Sequence, residues 1–136
     1  MAGSKDVITR HIEAFNAHDQ DAEPWAADAQ IVAPGASVSG RDEVLGFLSV
    51  FQEAFPDGRL EVKQFLAAGP AAAAEGSFAG THEGVLHTPN GDVEPTGKAV
   101  EFRWAAVYDV HGEELKSEHL FFDQMELLGQ LGLIPG

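Results

Sequence analysis

From residue 99 to residue 110 every second side chain is apolar, in the pattern of a strand with one buried face. Val100, Phe102, Trp104, Ala106, Tyr108 and Val110 share one face, and Glu101, Arg103 and Asp109 share the other with Ala105 and Val107 between them. A period of two fits an extended strand with one buried face and does not fit a helix. His111-Gly112 then turns the chain, and residues 114–122 continue with the same period, which predicts an antiparallel hairpin. Regular pairing would set Leu115, Ser117, His119, Phe121 and Asp123 on one side of its second strand. Residues 60–68 and 71–81, joined by Gly69-Pro70, predict another hairpin.

Helical periodicity is confined to the first half and the extreme end. Residues 4–18 place Val7, Ile8, Ile12 and Phe15 at helical spacing behind Ser4 as N-cap, with His11 on or beside that face. Residues 42–55 carry the clearest stripe: Val44, Phe47, Leu48, Phe51 and Phe55. Residues 21–27 read as a short helix with Pro24 near its start, residues 29–33 as a short strand turned by Pro34-Gly35, and residues 83–97 as a long connection. Helices followed by hairpins predict one α+β domain over residues 1–136, with a curved, mostly antiparallel sheet wrapped around the long helix and an apolar cavity at its open end.

Composition removes several functions. The formal net charge of −14 opposes nucleic acid and anionic membranes, which need clustered Lys and Arg. With no cysteine, thiolate metal sites and thiol nucleophiles are excluded. No apolar run is long enough to span a bilayer. The opening Met1-Ala2-Gly3-Ser4-Lys5-Asp6 has no apolar core of a signal peptide, which predicts a cytoplasmic protein.

Two motif look-alikes fail on spacing. His82-Glu83 followed by His87 has the histidines at i, i+5 beside glycine, where zinc hydrolases need i, i+4 on a helix, so no metal site is expected. Gly91 to Lys98 has five residues between its glycines and Ala99 after the lysine, so it is not a phosphate loop. No serine lies in a Gly-x-Ser-x-Gly setting.

One carboxylate stands out. Asp123 follows Phe121-Phe122 directly, and apolar surroundings would raise its basicity toward that of a general base. Asp is equally a favoured N-cap for the Gln124-Met125-Glu126-Leu127-Leu128 segment that follows. His119 lies two residues earlier, on the same strand face if pairing is regular.

Several fragments occur in a characteristic order: Gly80-Thr81-His82-Glu83-Gly84, Pro95-Thr96-Gly97-Lys98, Val100-Glu101-Phe102-Arg103, Glu118-His119, then Asp123 with Gln130-Leu131-Gly132-Leu133. With Phe15-Asn16-Ala17-His18-Asp19 and Ser39-Gly40-Arg41-Asp42-Glu43 they resemble the SnoaL-like polyketide cyclases of the nuclear-transport-factor-2-like superfamily. The resemblance implies a cone-shaped α+β barrel with a deep apolar cavity, a homodimer or larger assembly, and ring closure of a polyketide-like molecule by intramolecular aldol chemistry. It implies a carboxylate acid/base and no cofactor or metal. It places the catalytic carboxylate at Asp123; His119, on the same strand face, could share its proton or orient the substrate.

The expected site is therefore Asp123 and His119 at a cavity formed by Phe15, Trp25, Phe51, Phe78, His82, Trp104, Tyr108 and Phe121. The alternatives are a small-molecule-binding module with the same pocket, and an isomerase or hydrolase relative. Ala105 and Val107 would form the apolar centre of the dimer interface.

Overall fold

The computed structural model describes residues 3–134. Met1-Ala2 and the closing Pro135-Gly136 lie outside them. Helix α1 (Ser4–Ala17) is followed by a 3-10 turn (Gln20–Ala22), strands β1 (Trp25–Ala33) and β2 (Ala36–Ser39), and helix α2 (Arg41–Ala54). Strands β3 (Arg59–Ala68), β4 (Ala71–Thr81), β5 (Leu86–Thr88), β6 (Gly91–Val93), β7 (Ala99–His111) and β8 (Glu114–Phe122) come next, and α3 (Gln124–Gln130) ends the chain.

Six strands form one curved sheet in the order β2-β1-β8-β7-β4-β3, antiparallel except for the β1–β8 pair. The sheet is open, with β2 and β3 as edges, and its curvature around the helices is that of the expected α+β cone. Helices α1 and α2 fill its inner face with Val7, Ile8, Ile12, Phe15, Val44 and Leu48, packed against the inward side chains of β4 and β7. All six alternating residues of β7, from Val100 to Val110, are buried there. Among the described residues no helix is long and apolar enough to cross a membrane.

Three local readings change. The helix expected over residues 21–27 is a 3-10 turn followed by strand. Pro24 offers its carbonyl to Leu115 N–H, and Trp25 pairs in parallel with Leu115, so sheet pairing overrides the local helical pattern. The connection over residues 83–97 contains the small β5–β6 hairpin. At the start of α1 the N-cap is Gly3, with the Asp6 carboxylate accepting from Gly3 N–H, and not Ser4.

Pairing shifts register at three places, between Trp25 and Gln30 of β1 against β8 and at two single-residue bulges. Pairing of β3 with β4 steps from Val62↔Gly76 to Gln64↔Glu75, leaving Lys63 as the extra residue. Pairing of β7 with β8 steps from Val110↔Leu115 to Asp109↔Ser117, leaving Lys116 extra. At the first bulge the β3 backbone presses on Gly76, where any Cβ would collide with the Glu61 carbonyl. G76A is expected to lower stability by roughly 2–4 kcal/mol, through forced separation of the strands, read as a fall in thermal midpoint. An unchanged midpoint would show that the β3 bulge is free to relax.

Candidate active site

The β8 bulge decides which side chains of that strand face inward. Past Lys116 the alternation is shifted by one, so Glu118, Leu120 and Phe122 point to the core while His119 and Phe121 point out. A one-residue slip reverses every side chain beyond it.

The inward set lines a cavity between α1, α2 and the sheet. Its deep walls are the buried His11, Phe15, Leu48, Phe78, Phe102, Trp104, Tyr108 and Glu118. Phe47, Phe51, Leu60, Leu120 and Phe122 are only half-buried and mark its mouth. The cavity has a volume of about 50 Å³. The phenylalanines meet edge-on, as in the Phe51–Phe78 and Phe51–Phe122 contacts, with centroids 6.3 and 5.9 Å apart.

Polar groups gather at one end. His11 Nδ1 donates to Glu23 Oε1 at 2.6 Å, and Trp25 Nε1 donates to the same oxygen at 3.0 Å. His11 Nε2 lies 3.6 Å from Glu118 Oε1, too long for a hydrogen bond but close enough for charge attraction. Glu23 is held in place from behind. Arg41 donates to the carbonyls of Glu23, Trp25 and Gln20 at 2.8, 2.9 and 3.0 Å, tying the segment that carries Glu23 to the start of α2. Tyr108, opposite Glu118 in the β7–β8 ladder, stands beside the His11 ring at 6.4 Å between centroids.

Burial sets the electrostatics. Glu118 is 3 % exposed, and its Oε1 accepts no hydrogen bond from the described residues. Desolvation, opposed by the His11 charge and reinforced by Glu23, pushes its carboxyl up to about 7. Burial also acts to lower His11, but the hydrogen bond and charge of Glu23, with the charge of Glu118, outweigh it and raise the imidazole above its usual value. Burial, then the charges of Glu118 and Glu23, hold the Tyr108 hydroxyl well above its ordinary pKa, so it stays a donor. A carboxyl that titrates near neutrality beside a dry cavity can both take and return a proton.

The expected residues divide. Phe15, Phe51, Phe78, Trp104 and Tyr108 line the cavity. Trp25 is buried behind it as the donor to Glu23. His82 is fully buried elsewhere, its Nδ1 accepting from Thr96 N–H at 3.1 Å, where it pins the 83–97 connection. Phe121 and His119 are on the outer sheet face, Phe121 59 % exposed. Asp123 is exposed and caps α3, accepting from Met125 N–H at 2.9 Å. The structure therefore does not bring Asp123 and His119 together at this cavity: the Lys116 bulge turns His119 outward, and the Asp123 carboxylate is engaged as an N-cap. Glu118, His11 and Glu23 were missed as a group. The signal for them was weak: a histidine on the apolar face of α1, and a bulge that leaves no mark in local periodicity.

The sequence pattern of the SnoaL-like polyketide cyclases matches residues 5–131. The chain belongs to that family. The fold agrees. IdmH of Streptomyces antibioticus, a candidate polyketide cyclase, is 27% identical with TM-score 0.79, covering 94% of this chain and 97% of its own. AclR of Streptomyces galilaeus, a candidate hydroxylase, is 25% identical with TM-score 0.80, covering 97% and 86%. A SnoaL-like protein of Jannaschia sp. CCS1 is 15% identical and shares the fold, with TM-score 0.83 over 96% and 92%. No curated protein sequence matches.

The Glu118 geometry gives stability a definite pH dependence. Its folded pKa of about 7 exceeds the ordinary 4.5, so the folded chain binds more protons between those values. Its contribution is then fully present below about 4.5 and lost as pH rises to about 7. The raised His11 adds a loss of the same sign above 6.5. Denaturant unfolding should show roughly 3 kcal/mol less stability at pH 8 than at pH 5, and E118Q should remove most of that slope. Equal slopes in both proteins would place the proton elsewhere.

Proposed function

We propose that this SnoaL-like chain is a cofactor-independent acid/base enzyme acting on an apolar, polyketide-like carbon acid, with Glu118 as the base. The observation that carries the reading is Glu118 itself, a buried carboxyl on an apolar cavity wall whose Oε1 accepts no hydrogen bond from the described residues, so that burial pushes its pKa up to about 7. Removal of a proton beside a carbonyl requires a base of this kind, in reach of a substrate that excludes water. His11 sits within charge-attraction distance of Glu118 and is fixed by Glu23, so it steadies the carboxylate form and can exchange a proton with it. The Tyr108 hydroxyl, on the neighbouring strand, supplies a donor for the enolate oxygen that forms. The family and its candidate cyclase neighbour support ring closure of a polyketide-like molecule as the overall reaction.

A direct test uses 2-tetralone, an aromatic ketone with acidic C–H bonds, in D₂O. Wild-type protein is expected to accelerate deuterium incorporation, with a rate that rises through about pH 7 as Glu118 ionises. E118Q should lose about 100-fold. Binding of 2-tetralone with no exchange above the buffer rate would sink the enzymatic reading and identify a ligand-binding module.

The outer sheet face supports a homodimer. Leu66, Val107 and Phe121 are exposed there at 62%, 50% and 59%, around Ala105. The outward residues of β7 are charge-complementary under a two-fold axis crossing the strand at Ala106. Arg103 then meets Asp109 of the second copy, and Glu101 meets His111. A V107E substitution should yield monomer by light scattering where the wild type is dimeric, and a wild-type monomer would contradict the interface.

A further inference from the structure

One polar atom of the cavity has no part in the proton chemistry above. Trp104 is 5 % exposed, and its indole Nε1–H has no hydrogen-bond partner among the described residues. Burying a donor without an acceptor destabilises the folded chain, and native structures seldom tolerate it without a reason. The other tryptophan differs, since Trp25 Nε1 is satisfied by Glu23. Trp104 lines the cavity, and its register partner on β8 is Phe122, at the mouth. Glu118 faces Tyr108, four residues further along β7, or about 13 Å of strand. The walls between are largely phenylalanine and offer no acceptor.

We infer that Trp104 Nε1–H is the hydrogen-bond donor for a carbonyl or phenolate oxygen of the ligand, and so selects flat, ring-containing molecules that carry such an oxygen. The inference rests on the cavity being the ligand site. It does not depend on Glu118 being the base. The phenylalanine edges and faces receive the ring, and the indole fixes which end of the molecule lies toward the mouth. A ligand of the same shape without the oxygen leaves the donor buried and unpaired, and that difference is the source of discrimination.

The test compares acetophenone with α-methylstyrene, which has the same shape with a methylene group in place of the oxygen. Indole N–H resonances of ¹⁵N-labelled protein are followed during titration, and W104F identifies the Trp104 signal by its loss. Acetophenone is expected to move that signal downfield, whereas α-methylstyrene leaves it within ring-current shifts. W104F should weaken acetophenone about tenfold and α-methylstyrene less than twofold. Equal losses for the two ligands, or an unmoved indole signal while acetophenone binds, would overturn the role of Trp104 and leave the cavity as a ligand site. If neither ligand binds the wild type, the cavity reading and this inference fall together. Should W104F fail to fold, the wild-type indole shifts with the two ligands decide alone.

Discussion

Everything at the site depends on one extra residue in one ladder. Lys116 interrupts the pairing of β7 with β8, and the strand beyond it presents the opposite parity. Without that bulge His119 and Phe121 would face the helices, and Glu118 would face water. With it, a carboxyl is carried into an apolar cavity, where desolvation makes it a base near neutral pH. The cost of burying that group is offset by a partner from a different part of the chain. His11 projects from α1, is oriented by Glu23, and Glu23 is in turn fixed by Arg41 at the head of α2. Four segments distant in sequence thus converge on one proton.

The division of labour follows from this arrangement. The cavity is apolar along most of its length and polar at one end, so a substrate is oriented by where its own polar atoms can be satisfied. His11, Glu118 and Tyr108 form the polar end, and Trp104, whose indole N–H has no partner among the described residues, stands four residues back along β7. On the outer face the same strand that supplies Trp104 and Tyr108 shows Ala105 and Val107 between opposite charges. β7 therefore serves the cavity with one set of side chains and presents the other on the outer face proposed for the subunit contact. Gln130 fastens its beginning, bonding both the N–H and the carbonyl of Glu101, which explains a structural use for the Gln130-Leu131-Gly132 segment after α3.

Much of this fold is legible in the sequence because it rests on strong periodicity. The β7 alternation and the α2 stripe each specify one inward face; that of β7 is buried throughout, and that of α2 buries Val44 and Leu48 while Phe47 and Phe51 stay half-buried at the cavity. Trp104 and Tyr108 reach the cavity from the β7 face, Phe51 from the α2 stripe, Phe15 from the apolar face of α1 and Phe78 from β4. What the sequence conceals is whatever depends on pairing between distant segments. Trp25 reads as helical, yet Leu115 draws it into a strand. Asp123 looks like a base behind two phenylalanines, but only Phe122 points inward, and its carboxylate is taken by the backbone of α3. Glu118 reads as a charged surface residue because local pattern carries no trace of a bulge.

The central claim is the protonation state of Glu118, and the most direct measurement is a side-chain carboxyl titration by ¹³C NMR, with E118Q used to assign the resonance. A midpoint near 7, well separated from the bulk of the carboxylates, is the predicted result. A midpoint below 5 would contradict the account, since a carboxyl of ordinary acidity in that position would be neither desolvated nor suited to act as the base.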